Sequence, residues 1–488
     1  MNLAEHVLRS RYPGRIALIC GEEQVTWDEL ATRVARAAGA LRALGVKPGE
    51  QVLFVLRDTP EFAAAWLGAV HAGAVAVALN SRLSEADYRH ILADSGARFA
   101  IVDEPFAAAR DVFGKICIDQ WSKRVQQSSE APSVHTVPDA PALCLYSSGT
   151  TGRPKGILHA HRAALSIGEA FRALGIGEGE RVFTTSKFFF AYGLEHGLLA
   201  PLAMGITSIL SADWPDADAV IGIVERHRPQ AMFSVPTIYR RLLAEPAARL
   251  APLREVRHFV AGGERLSPQL VQQWRAAVDG ELLNLYGMSE GFCACMMTPP
   301  GTSDGLRTGK PFPIAEVRLV DGDGAEPAPG EPGVLWLRHP AQARGYANLP
   351  EDTQSQFRDG WFCSRDLFVR DAEGFYIHQG RSDELIKVAG QWVWPSELEQ
   401  AALAAGGVAE AVCVPVSDGE GLQRLALFVT ARGEEDAARA AAGACERLPR
   451  HKRPKWIRAV AELPRTATGK VQRYKLREIL ESELQRNG

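Results

Sequence analysis

Apolar positions in the first 120 residues recur with two spacings, one helical and one strand-like. Thr26 and Glu29 fit a capping box, in which each side chain satisfies a free backbone N–H at a helix start. Leu30, Val34, Leu41 and Leu44 then follow at helical spacing, and Gly45 suits the left-handed position that ends a helix. QVLFVL at 51–56 is short, apolar and β-rich, the mark of a buried strand. Residues 60–72 return to a helical pattern and AVAVAL at 74–79 to a strand. The alternation resumes around VFTTS (182–186), TSIL (207–210), AMFSV (231–235) and HFVAG (258–262). Strands separated by helices predict right-handed crossovers and a mostly parallel sheet covered on both faces.

The pattern changes beyond residue 300. VRLVDGDGAEPAPGEPGVLWLRH holds two strand-like runs around a Gly/Pro/Asp-rich turn, and GFYIHQGRSDELIKVAG reads as strand, polar turn, strand. From Pro395 a small α/β unit is expected, with helices at 396–405 and 434–447 and strands at 411–416 and 425–430. A hinge is placed near 381–384, where charged side chains and Ser382 interrupt apolar strands.

Length makes two or more domains the expectation, since 488 residues exceed one ordinary core. Hydrophobic residues at 46% and charged residues at 23% are the balance of a soluble globular chain. A net charge of −3 gives no reason to expect nucleic acid as the main partner. The N-terminal residues lack the apolar core of a secretory signal, and no apolar run is long enough to span a membrane. The eight cysteines are scattered; Cys293 and Cys295 lie on an apolar run and read as buried packing. A reducing, cytoplasmic setting is expected.

The densest chemistry lies at Tyr146–Gly156, YSSGTTGRPKG, directly after the apolar run ALCL. Glycines let backbone N–H groups turn inward, hydroxyls add donors, and Lys155 supplies positive charge, a combination suited to phosphate. The segment does not match a Walker A loop. Taken by composition alone, it also reads as an ordinary polar turn.

Four further segments follow in order: Tyr286-Gly287-Met288-Ser289-Glu290, Asp366 in SRDLF, Gly380-Arg381-Ser382-Asp383, and Pro464 to Lys470 as PRTATGK. Together the five resemble the signatures of the adenylate-forming superfamily, which includes acyl-CoA synthetases, firefly-type luciferases and peptide-synthetase adenylation domains. They span nearly the whole chain. The resemblance implies an α/β fold with a large N-terminal domain, 1–382, built of two α/β sheet subdomains and a β-rich subdomain. It also implies a small mobile α/β domain, 383–488, that carries the catalytic lysine and part of the CoA site.

The resemblance places the ATP phosphates on Ser147, Ser148, Gly149, Thr150, Thr151 and Lys155, and Mg²⁺ on Glu290, a hard carboxylate ligand. Gly262, Gly263, Glu264, Asn284, Tyr286 and Gly287 would flank adenine, and Asp366 and Arg381 would hold the ribose. Arg365 stands before Asp366 where many relatives have glycine. Lys470 would bridge the attacking carboxylate and the phosphate as charge develops. Rotation about Asp383 would then withdraw Lys470 and present Lys387 and Gly390 to coenzyme A, with glycine allowing the pantetheine arm close to the backbone.

KFFFAYGLEHG at 187–197 resembles the acyl pocket of benzoate-CoA ligases in particular, which makes Phe190, Ala191, Tyr192, Gly193 and His196 the substrate candidates. By periodicity alone, Phe188–Phe190 reads as core packing, and His196 as either a satisfied core histidine or a partner for a ring hydroxyl or amino group. Glu195 and His196 depart from the small or amide residues more usual there. The expected reaction joins a benzoate-like acid to ATP as acyl-AMP and then to coenzyme A, releasing pyrophosphate and AMP. Two alternatives stay open: an adenylation enzyme that loads a carrier protein, and a nucleotide-binding regulator without turnover. No membrane partner is expected, and self-association as a homodimer is compatible with the chain.

Overall fold

In the computed structural model, the described residues are 1–488 apart from 10–11, 115–116, 149–152, 389–390, 419–421, 434–435, 466–470 and 488, and apart from the side chains of 148, 392 and 485–487. The capping box at Thr26 is formed: Glu29 N–H donates to Thr26 Oγ1 at 3.2 Å and Thr26 N–H to Glu29 Oε2 at 2.8 Å. It opens the helix Trp27–Ala43, whose Leu30, Val34 and Leu41 are fully buried. The helix Pro60–His71 starts with proline at its first turn and packs so closely on the first that a Cβ on Gly68 would lie 2.6 Å from Ala37 Cβ. Only glycine permits that approach.

The chain divides into two compact units. The first comprises Met1–Arg318, Trp336–Ser364 and Asp371–Ile377. Its described residues form two extended sheets. In a six-stranded sheet the order is Gly345–Tyr346, Pro154–Ala160, Pro141–Ser148, Val75–Ala78, Gln51–Val55 and Phe99–Val102. In a nine-stranded sheet it is Lys310–Pro311, Ala294–Met297, Leu282–Gly287, His258–Gly262, Ala231–Ser234, Arg181–Thr184, Thr207–Leu210, Ile16–Cys20 and Glu23–Thr26. The central strands of both sheets pair in parallel, as their apolar character on both faces requires. Antiparallel strands at the edges depart from the parallel pattern: Pro154–Ala160 returns directly from Pro141–Ser148, and Ala294–Met297 from Leu282–Gly287. Short connections allow only such hairpins, because a parallel return needs a crossover.

The second unit comprises Leu319–Leu335, Arg365–Arg370 and His378–Gly488. The small α/β portion expected from Pro395 has helices Pro395–Leu403 and Ala437–Cys445 and a sheet of Val408–Ser417, Gln423–Ala431 and Trp456–Ala459. Leu398, Ala402, Val429 and Ala441 fill one of its cores. The β-rich stretch forms strands at Glu316–Val320, Pro332–Arg338, Trp361–Arg370 and Tyr376–Arg381, whose residues are divided between the two units. Among the described residues, no helix is long and apolar enough to cross a membrane.

Candidate active site

The phosphate-type segment occupies the arms of a hairpin. Pro141–Ser148 and Pro154–Ala160 pair antiparallel, with Tyr146 opposite Gly156 and Ser147 opposite Lys155. Gly149, Thr150 and Thr151 lie outside the described residues, as does the side chain of Ser148. Lys155 is mostly buried, its side chain 17% exposed, with Nζ 2.7 Å from Asp352 Oδ2 and 5.7 Å from the Tyr346 ring centre. The Tyr346 hydroxyl reaches Glu290 Oε1 at 2.9 Å and Gln356 Oε1 at 3.2 Å. One tyrosine therefore sits against both the expected phosphate lysine and the expected metal carboxylate.

The Glu290 backbone is fixed from two sides. Its carbonyl accepts from Ala343 N–H at 2.8 Å, and the preceding carbonyl of Ser289 lies 2.8 Å from His159 Nε2. His159 is fully enclosed, with Nδ1 3.2 Å from Ala341 O, and burial pushes its pKa down to about 4. A neutral ring donates to only one of these carbonyls, and the shorter contact favours Ser289. An ammonium, hydroxyls and a single carboxylate are the donor set that magnesium and polyphosphate require, because phosphate oxygens and water complete the metal shell. No cluster of three or more metal-ligating side chains occurs among the described residues.

The expected adenine residues come together at the carboxyl ends of neighbouring parallel strands. His258–Gly262 pairs with Leu282–Gly287 so that Ala261 faces Asn284 and Gly262 faces Leu285. Asn284 is buried, Tyr286 half-buried and Gly287 exposed. Gly263 turns the chain with φ +79°, and the Glu264 carboxylate accepts from Thr237 Oγ1 at 2.8 and 3.0 Å. A Cβ on Gly262 would sit 3.1 Å from Tyr192 Cζ, so this strand end also touches the expected acyl segment. In open α/β sheets, ligands bind outside such carboxyl ends.

The expected acyl segment is anchored by a buried ion pair. Lys187 Nζ donates to the carbonyls of Ser211, Ala212 and Asp213 at 2.6, 3.1 and 2.8 Å and lies 3.5 Å from Asp58 Oδ2. Burial pushes the Asp58 carboxyl up to about 6 and the Lys187 ammonium down. Asp58 also accepts from Phe188 N–H at 3.2 Å. Phe188 is core, whereas Phe190 is half-buried against Phe189. Ala191 is 8% exposed. Gly193 lies where a Cβ would be 2.3 Å from Lys187 O, so the backbone itself fills that space. Tyr192 directs its hydroxyl at the carbonyls of Ser234 (3.2 Å) and Val260 (3.3 Å). His196 is buried, its ring stacked on Phe233 at 4.8 Å.

In the second unit, Asp366 lies 3.5 Å from Arg381 Nη1 and 3.7 Å from His378 Nε2. Arg381 grips Asp383 with two parallel bonds of 2.9 Å, the fork geometry that arginine offers a carboxylate. The expected ribose and hinge residues are thus neighbours. Arg365 adopts φ +62°, the left-handed conformation that a glycine would take without cost, and its Nη1 lies 3.8 Å from Asp383. Lys387 is exposed on the strand Ile386–Val388. Gly390 and Lys470 lie outside the described residues.

Sequence reading missed Tyr346, Asp352, Gln356, Asp58 and the anchoring role of Lys187. Their partners are 10 to 197 positions away, so no local spacing announces them. The nearest signal was the acidic, polar run after Gly345 in GYANLPED.

The described residues thus group Lys155, Tyr346 and Glu290 at the hairpin, and set Tyr192 against Gly262 at the carboxyl end of a parallel strand. The AMP-binding enzyme family matches residues 5–347, and the AMP-binding enzyme C-terminal domain matches residues 397–470. The chain is 41% identical to the 3-hydroxybenzoate–CoA/4-hydroxybenzoate–CoA ligase of Thauera aromatica, covering 96% of this chain and 94% of that one. It is 36% identical to the benzoate–CoA ligase of the same organism, covering 95% and 92%. The crystal structure of a benzoate CoA ligase from Burkholderia xenovorans LB400 superposes with a TM-score of 0.89 at 34% identity, covering 98% of this chain and all of that one. The chain belongs to the AMP-binding enzymes, among their acid–CoA ligases.

Proposed function

We propose that this enzyme activates a benzoate-like aromatic acid with ATP and Mg²⁺ as an acyl-adenylate and then transfers the acyl group to coenzyme A. The observation that carries the reading is the junction of two sites in the first unit. The hairpin lysine and Glu290 share Tyr346, and the aromatic Tyr192 presses on Gly262 at the expected nucleotide site. Relatives that act on benzoate, hydroxybenzoate and anthranilate support the aromatic substrate.

In the first half-reaction, a carboxylate oxygen of the acid attacks the α-phosphorus and pyrophosphate leaves. Lys155 and the hydroxyls of 147–151 hold the β- and γ-phosphates, while Glu290 binds magnesium, which neutralises phosphate charge when bound. Asp366 and Arg381 hold the ribose, and Lys470 bridges the two reacting anions. In the second half-reaction, the CoA sulfur attacks the acyl carbon, the C–O bond to phosphate breaks and AMP leaves. Rotation of the domain 383–488 about Asp383 separates the halves and presents Lys387 and Gly390 to the pantetheine arm. The enclosed thiols Cys144, Cys293, Cys413 and Cys445 suit a reducing cytoplasm, and a homodimer is the assembly to test by light scattering.

The test mixes enzyme, ATP and Mg²⁺ with benzoates and aliphatic acids, with and without CoA, and follows the products by mass spectrometry. Aromatic acyl-CoA formed only with CoA is the expected result. Adenylate that never reaches CoA identifies a carrier-protein loader, and no adenylate from any acid refutes turnover.

A further inference from the structure

The segment after Tyr192 contains a π-turn, Glu195–Leu199, between the helices Ala191–Leu194 and Ala200–Met204. A π-turn adds a residue to the helical repeat and re-aims the side chains that follow, often at functional sites. Here two consecutive polar residues both lie buried, Glu195 at 2% and His196 at 1% exposure. Glu195 is satisfied, accepting from Ala294 N–H at 3.1 Å and Gly168 N–H at 3.4 Å.

His196 is satisfied on one side only. Its Nδ1 lies 3.0 Å from the Tyr192 carbonyl and 3.7 Å from the Glu195 carboxylate, oxygens that can only accept, so a neutral ring carries its proton on Nδ1. Nε2 is then a bare acceptor. It is enclosed and has no hydrogen-bond partner among the described residues. Phe233 stacks on the ring at an interplanar angle of 28°, with Tyr192 and Phe171 at 5.1 and 5.8 Å. Phe233 immediately precedes Ser234, the last residue of its parallel strand, whose carbonyl accepts from Tyr192. The unpaired nitrogen therefore belongs to the aromatic wall at the strand ends, and the Tyr192 hydroxyl is already committed to backbone.

We propose that Nε2 of His196 accepts a hydrogen bond from a hydroxyl on the substrate ring, which makes the enzyme selective for a hydroxylated benzoate over benzoate. This inference rests on the aromatic-acid reading. A phenolic O–H supplies the missing donor, whereas an unsubstituted ring leaves the buried acceptor unpaired. The expected discrimination is roughly tenfold to a hundredfold in kcat/KM.

The experiment measures ATP–pyrophosphate exchange with benzoate, 3- and 4-hydroxybenzoate, their methoxy counterparts, 3- and 4-aminobenzoate, and an aliphatic acid. The unmodified enzyme should prefer one hydroxybenzoate over both benzoate and its methoxy counterpart, which lacks the donor. His196→Phe should bring the hydroxybenzoate-to-benzoate ratio close to one, and His196→Gln, which retains an acceptor, should restore part of it. Equal losses on both acids in His196→Phe, or no preference in the unmodified enzyme, overturn the proposal. Preference for an aminobenzoate overturns the hydroxyl assignment. Activity confined to the aliphatic acid refutes the aromatic reading itself, a result distinct from benzoates that react equally. If His196→Phe fails to fold by thermal melting, the preference of the unmodified enzyme decides.

Discussion

Lys187→Met removes the cation at the base of the acyl segment while keeping most of the side-chain volume. The ammonium satisfies three carbonyls and faces Asp58, and both side chains are less than 10% exposed. Removing one partner of a buried pair leaves the other charge uncompensated, a loss of about 3–5 kcal/mol. With an unfolding entropy of about 2.1 cal/mol/K per residue over a unit of roughly 350 residues, 4 kcal/mol lowers the melting midpoint by about 5 °C. Asp58 also holds the Phe188 N–H, so the start of the acyl segment loosens and KM for the acid should rise more than KM for ATP. Calorimetry and steady-state kinetics read both effects. Adding Asp58→Asn should recover part of the stability, because it removes the stranded charge. A Lys187→Met protein that melts within 1 °C of its parent, with KM for the acid unchanged, would refute the reasoning.

Acid should destabilise the first unit well above the usual carboxylate range. His159, His161 and His339 are buried, and burial pushes each pKa down to about 4. His161 and His339 also accept backbone N–H groups through Nδ1, of Leu3 at 3.0 Å and Ala341 at 3.1 Å. With folded values below the unfolded ~6.5, stability is full above pH 6.5 and falls as pH drops toward 4, by about 2 kcal/mol per histidine at pH 5. Asp58, raised to about 6, gains stability over the same window, but only about 1 kcal/mol. Urea midpoints at pH 7.5 and 5 check the balance, and a flat profile contradicts it. Lys470→Ala should slow adenylate formation by on the order of 10²- to 10³-fold, measured in a single turnover. Asp383→Pro should impair acyl transfer to CoA more than adenylation; equal losses in the two half-reactions count against a hinge.

Features encoded by neighbouring residues were legible in the chain itself. The capping box at Thr26 needs only residues three apart, and HFVAG appears as a strand with the same limits, His258–Gly262. YSSGTTGRPKG stands out as a phosphate candidate in the chain alone, because glycines, hydroxyls and a lysine crowd one short segment. What required the tertiary structure was each pairing across sequence distance. Lys155 meets Asp352 across 197 positions, Glu290 meets Tyr346 across 56, and Phe188 N–H meets Asp58 across 130. Local periodicity carries no record of which distant side chain folds back. Arg365 shows the converse, since surrounding strands hold a non-glycine residue in a conformation that its own preference opposes. The π-turn at Glu195 was equally hidden, because no spacing in EHGLL marks it and only the packing shows both polar side chains buried. Sequence thus determined the class of chemistry, a local property of composition and spacing, while the fold alone decided which acceptor on the aromatic wall finds no donor among the described residues.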